Sequence, residues 1–133
     1  MSVTKPNRET SSAQFVTTAR KLEQETRRRC VSGPKRYTFY GLQELWQTAR
    51  RVHSAVTRAA PFPGSRKQAD RREALLREAL EWLDDYNGQL SLLLDDQIFT
   101  VAGAAAMTQL MFEEGKLIKA VIKSDKARFA DLK

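Results

Sequence analysis

Apolar residues recur along this chain at intervals of three and four in four separate stretches, and no stretch sustains the period-two alternation of a half-buried strand. The first stretch places Phe15, Val16, Ala19, Leu22, Thr26 and Cys30 on one face, which predicts a helix capped by Ser11 or Ser12 and running to about Arg29. Ser32, Gly33 and Pro34 end it, because glycine admits a left-handed cap and proline blocks continuation. Residues 1–10 offer almost nothing to bury and read as a flexible N-terminal tail. A second helix should start near Thr38 and carry Phe39, Leu42, Leu45, Trp46, Ala49, Val52, His53, Val56 and Ala59 before the loop Pro61-Phe62-Pro63-Gly64. A third begins at Ser65, whose spacing to Gln68 is that of a capping box, and buries Leu75, Leu76, Ala79, Leu80, Leu83, Tyr86, Leu90, Leu93 and Leu94. It keeps helical phase through Asn87-Gly88. That dipeptide is also a strong hairpin signal, but its flanks neither alternate nor favour β-branched residues, so a glycine costing about 1 kcal/mol within a helix, at a close crossing, is expected. Asp95, Asp96 and Gln97 break the pattern.

The fourth helix, from about residue 100 to 124, is expected to turn Val101, Ala105, Thr108, Phe112, Leu117 or Ile118, Val121 and Ile122 inward, with the small residues 102–106 allowing close approach. Four amphipathic segments on short connections specify an all-α fold, an up-and-down antiparallel four-helix bundle over residues 11–129 with a short C-terminal tail at 130–133.

Composition narrows the class. A chain of 133 residues is the size of one ordinary domain and long enough to bury a core without metals or disulfides. Cys30 is the only cysteine, which excludes an internal disulfide and a thiolate cluster and fits a reducing, cytoplasmic setting. The polar start lacks the apolar run of a signal peptide, and the apolar stretches are far shorter than a membrane span, so no membrane association is expected. The net charge of +7 points towards polyanions, although surplus charge also aids solubility.

That charge is segregated. Residues 1–72 hold 16 Lys or Arg against 5 acids, whereas residues 73–133 hold 7 against 11. Eight acids from Glu78 to Glu114, uninterrupted by any Lys or Arg, should mark the end of the bundle that carries the third loop. The opposite end collects Arg58, Arg66, Lys67, Arg71 and Arg72 with Lys116, Lys119, Lys123 and Lys126. The four lysines follow one side of the fourth helix, a spacing able to track successive phosphates and equally natural for a solvated face near a helix C-terminus. Lys116, Lys119, Lys123 and Lys126 with Arg71, Arg72 and Arg58 are therefore the first candidate nucleic-acid site. Arg27, Arg28, Arg29, Lys35 and Arg36 form a second, beside Tyr37, Phe39 and Tyr40, where bases could stack on rings while guanidinium groups take phosphates. Phe39 is in phase with the core, which leaves Tyr37 and Tyr40 for that role. A complementary protein surface is an equally good use of the same residues.

Little supports chemistry. His53 lies on an apolar stripe, where a hydrogen-bonded, half-buried histidine is expected, and Cys30 has neighbouring arginines but no base. The carboxylate pairs Asp84-Asp85 and Asp95-Asp96 diverge on a helix, and neither a Glu-x-x-His metal pattern nor a phosphate-cradling glycine loop is present. A protein that is not an enzyme and uses no metal or cofactor is expected.

The chain resembles the four-helix-bundle family that includes rRNA intervening-sequence proteins and the accessory variability determinants of diversity-generating retroelements. The resemblance lies in Pro34-Lys35-Arg36-Tyr37-Thr38, in Arg58-Ala59-Ala60, in residues 71–77 and in Ile122-Lys123-Ser124-Asp125-Lys126-Ala127-Arg128-Phe129, and it covers roughly residues 15–129. The chain departs from the family pattern at Val121-Ile122, where many relatives carry a tryptophan, and at Ala60, where an asparagine is frequent. The resemblance implies a pentameric assembly that presents basic surface to RNA or DNA and docks onto a reverse transcriptase, assisting template-RNA-dependent mutagenic cDNA synthesis. The alternative is a helical adaptor for protein partners or self-assembly, without functional nucleic-acid contact.

Overall fold

Each of the four amphipathic stretches folds as a helix: α1 (Thr4–Ser32), α2 (Gln43–Ala59), α3 (Arg66–Asp95) and α4 (Val101–Arg128). The computed structural model describes the backbone of residues 4–37 and 41–133 and the side chains of residues 13–37 and 41–133. One 3-10 turn at Lys35–Tyr37 connects α1 towards α2, and no strand occurs among the described residues. Consecutive helices pack on one another and α4 closes back onto α1. They run antiparallel. At one end the Arg66 amide donates to the Lys133 carbonyl and Arg72 reaches Asp125, joining the start of α3 to the end of α4. Towards the other end the Gln89 amide reaches Glu44, joining the later part of α3 to the first turn of α2.

The core follows the expected stripes in three helices. Phe15, Ala19 and Leu22 from α1, Leu45, Ala49, Val52 and Val56 from α2, and Leu76, Ala79, Leu83, Tyr86 and Leu90 from α3 are buried together. One polar link lies among them. The Thr26 hydroxyl donates its proton to the Leu22 carbonyl at 2.7 Å, so Tyr86 is the donor in the 2.6 Å contact between the two hydroxyls.

The helix ends are set by local chemistry. Ser65 Oγ accepts from the Gln68 amide and Thr100 Oγ1 accepts from the Gly103 amide, satisfying first-turn N–H groups that have no helical partner. Gln68 reaches back to the Gly64 amide, one residue earlier than the reciprocal bond of a capping box requires. Helix α3 ends in a left-handed residue, Gln97 at φ 61°, with the Ile98 amide bonded to the Leu93 carbonyl and the Gln97 amide to the Leu94 carbonyl. This is a Schellman motif closed by an apolar Leu93 and Ile98 pair. Asn87-Gly88 is helical, as the flanks require, but a Cβ at Gly88 would meet open space, so the expected close crossing is absent.

Three boundaries differ from expectation. Helix α1 starts at Thr4, so residues 4–10, expected as tail, have helical backbone; Pro6 is compatible with this because first-turn N–H groups lack intrahelical partners anyway. Helices α1 and α4 each run a few residues further at their C-termini, to Ser32 and Arg128, with the last turns closed by local hydrogen bonds. The expected start of α2 at Thr38, together with Phe39 and Tyr40, lies outside the described residues.

The substantive correction is the inward face of α4. Ala104, Met107, Met111, Glu114, Ile118 and Ile122 are buried, whereas Val101 is 80% exposed, Phe112 is 58% exposed and Ala105 is exposed. Ile118 and Ile122 are buried as expected; over residues 101–112 the observed face is turned by about one residue, roughly 100° around the axis. Glu114 explains the misreading. A carboxylate in the middle of the stripe breaks the apolar period, and Phe112 offers a misleading substitute. Glu114 is completely buried, neither carboxyl oxygen has a hydrogen-bond partner, and burial pushes its pKa up to about 9.

Candidate nucleic-acid interface

Arg72 is removed from the surface. Its side chain is 4% exposed, its Nε donates to Asp125 Oδ2 at 2.7 Å, and its Nη1 donates to the carbonyls of Ala59 and Ala60. It therefore neutralises a half-buried carboxylate and satisfies carbonyls at the C-terminus of α2. The rings of Phe15, Phe62 and Phe129 flank its guanidinium with centroids between 5.4 and 5.9 Å away. A group so enclosed cannot meet a phosphate, and this corrects its expected place in the binding site. Sequence alone shows a run of cations at residues 71 and 72; the helical register sends one outward and the other inward.

Lys116, Lys119, Lys123 and Lys126 all lie on the outward side of α4, exposed and without an acidic partner among the described residues. Arg71 is also exposed and partnerless, but it does not extend the lysine line; it shares a cleft of about 260 Å³ with Arg58 and Phe62, between α2 and α3. Arg58 is half spent on Glu78, at 3.4 Å. That ion pair also means the acidic block reaches the cationic end instead of standing opposite it, and Glu114 is withdrawn from that block into the core.

At the α1 to α2 connection the arginine triplet is divided. Arg28 grips both oxygens of Glu25 and Arg29 donates to Oε2, while Arg27 is exposed with no partner among the described residues. Burial works to raise the Glu25 carboxyl, and the hydrogen bonds and charges of Arg28 and Arg29 outweigh it, so its pKa is lowered. Lys35 and Arg36 are exposed, with the Arg36 guanidinium 4.8 Å from the Tyr37 ring centroid. Tyr37 is half-buried against the core instead of standing open as a stacking platform.

A basic aromatic surface on α2 was missed by sequence reasoning. Arg50 lies over the Trp46 ring at 5.9 Å and Arg51 over the Trp82 ring at 4.8 Å, and both arginines line a cleft of about 400 Å³ with Gln47 and Ser54. The signal lies in the sequence, since residues 47, 50, 51, 54 and 58 fall opposite the α2 core stripe.

The remaining reactive groups serve the fold. His53 Nδ1 meets Glu23 Oε1 at 2.6 Å in a half-buried pair that Arg50 approaches to 4.0 Å. Cys30 is buried, and desolvation pushes its thiol up to about 12, far from a reactive thiolate. No group of three or more His, Cys, Asp or Glu gathers in metal-binding geometry among the described residues. Nor is any described helix long and apolar enough to cross a membrane. The geometry defines a four-helix bundle with partnerless cations on two sides. Comparison of the chain with family models, with curated proteins and with solved structures finds no match.

Proposed function

We propose that this protein is a non-catalytic, self-associating nucleic-acid-binding module that assists a reverse transcriptase in template-RNA-dependent mutagenic cDNA synthesis. The observation that carries the binding part is the state of its cations: Lys116, Lys119, Lys123 and Lys126 are exposed with no acidic partner among the described residues. Uncompensated cations in a row over about 15 Å of helix are matched by a phosphate backbone, whose bound counterions they release. The reverse transcriptase and the pentamer rest on the family resemblance alone.

An adaptor for other proteins is the second reading. It is favoured by Val101 and Phe112, large apolar side chains exposed on the same side of α4 as the lysines. Fluorescence anisotropy with labelled RNA and DNA across a salt series separates the two. The expected result is binding that weakens steeply with salt and is nearly abolished, at low salt, in the Lys119→Glu/Lys123→Glu double variant while circular dichroism is unchanged. Absence of binding by the unmodified protein at low salt would leave the adaptor reading, and light scattering on the same samples reports self-association.

A further inference from the structure

We propose that the cleft at the α2 to α3 turn is a subsite for one unpaired base and its adjoining phosphate in single-stranded nucleic acid, an inference that rests on the nucleic-acid reading above. Arg58, Pro61, Phe62, Pro63, Gln68 and Arg71 line it, and no acidic side chain does. Its volume of about 260 Å³ suits a single planar ring system, not a duplex.

The ring of Phe62 supplies the stacking surface. It is 60% exposed although large and apolar, and three neighbours hold its position. Phe129 meets it edge to face at 5.9 Å, and the guanidinium groups of Arg72 and Arg128 each lie 5.4 Å from its centroid. Because Arg72 is itself locked to Asp125 and to the carbonyls of Ala59 and Ala60, little ordering entropy is left to lose when a base stacks on the ring. Pro61 and Pro63 have no N–H to offer, so the walls beside the ring present flat apolar surface.

The polar groups complete the match. Arg71 has no acidic partner among the described residues, and Arg58 has only two long contacts, 3.4 Å to Glu78 and 3.4 Å to the Ser54 carbonyl, so two guanidinium groups share one cleft with charge to spare. A phosphate between them relieves their repulsion. Gln68 Oε1 is fixed as the acceptor of the Gly64 N–H at 2.6 Å, which assigns its amide orientation and leaves the NH₂ as a donor for a base carbonyl.

The test is anisotropy titration of a fluorescein-labelled single-stranded RNA and of its duplex, across a salt series, with the full chain, Phe62→Ala, Phe62→Leu and Arg58→Ala/Arg71→Ala. Loss of the ring is expected to weaken single-strand binding by roughly five- to a hundred-fold without changing the salt slope, and to leave duplex binding intact. The double arginine variant should instead lower the slope by about one unit. Phe62→Leu keeps apolar cover over Arg72 without a stacking face; it should bind like Phe62→Ala and secures the comparison if the alanine variant unfolds. Unchanged single-strand affinity in folded Phe62 variants, or equal losses for single strand and duplex, would overturn the subsite while the broader reading stands. Failure of the unmodified protein to bind either probe at low salt would overturn both.

Discussion

A carboxylic acid without a partner inside a bundle is a thermodynamic cost that depends on pH. The folded pKa of Glu114, about 9, stands above the ordinary carboxyl value of 4.5 that applies when the chain is unfolded. For a raised pKa the associated stability is fully present below the unfolded value and is lost as pH rises from about 4.5 to about 9. At pH 7 the loss amounts to about 3 kcal/mol. Glu114→Gln cannot ionise, so urea denaturation at several pH values should show the variant gaining on the native chain by about that amount between pH 4.5 and pH 7. A gap that does not change with pH would show that Glu114 is solvated in the folded state. Arg72 is the opposite case, a buried charge with every partner in place. Arg72→Ala would leave Asp125 only the 3.6 Å contact with Arg128 and leave the Ala59 and Ala60 carbonyls without their donor, and should cost about 3 kcal/mol in the same assay, with Arg72→Lys recovering only part of it because an ammonium lacks the planar fork.

At the scale of the element, α4 separates what periodicity can and cannot reveal. Helices α1, α2 and α3 have stripes whose members are nearly all apolar, and their inward faces were legible from the sequence. In α4 the true stripe contains Glu114, while Val101, Ala105 and Phe112 mimic a stripe on the solvent side. Neighbouring residues settle the question experimentally. Met111→Ala should destabilise by about 2 to 5 kcal/mol, whereas Phe112→Ala should fall within about 0.5 kcal/mol of the native chain. The reverse ranking in thermal melts would restore the face that periodicity suggested. Loop chemistry was more transparent: Ser65, Thr100 and the polar break near Gln97 each mark an end because a short polar side chain or a left-handed residue satisfies orphan backbone groups there.

At the scale of the molecule, the bundle and its antiparallel order were legible because short connections leave few alternatives. The surface was less so. Adjacent residues diverge by about 100° on a helix, so a list of basic residues mixes Arg71, which faces solvent, with Arg72, which braces the core. Pairing was equally hidden, since Arg28 and Arg29 are spent on Glu25 while Arg27 beside them is not. What positions along the chain could not convey is which cations are left over once the bundle has closed.

Cys30 turns this architecture into its own clock. The lone thiol is buried two residues before α1 ends, so a disulfide reagent such as DTNB can reach it only when that end of the bundle opens. Because the last turn of a helix opens far more cheaply than the whole fold, labelling should proceed faster than global unfolding and respond only weakly to added urea. A labelling rate as steeply dependent on urea as global unfolding would mean instead that the final turn of α1 is released only when all four helices part.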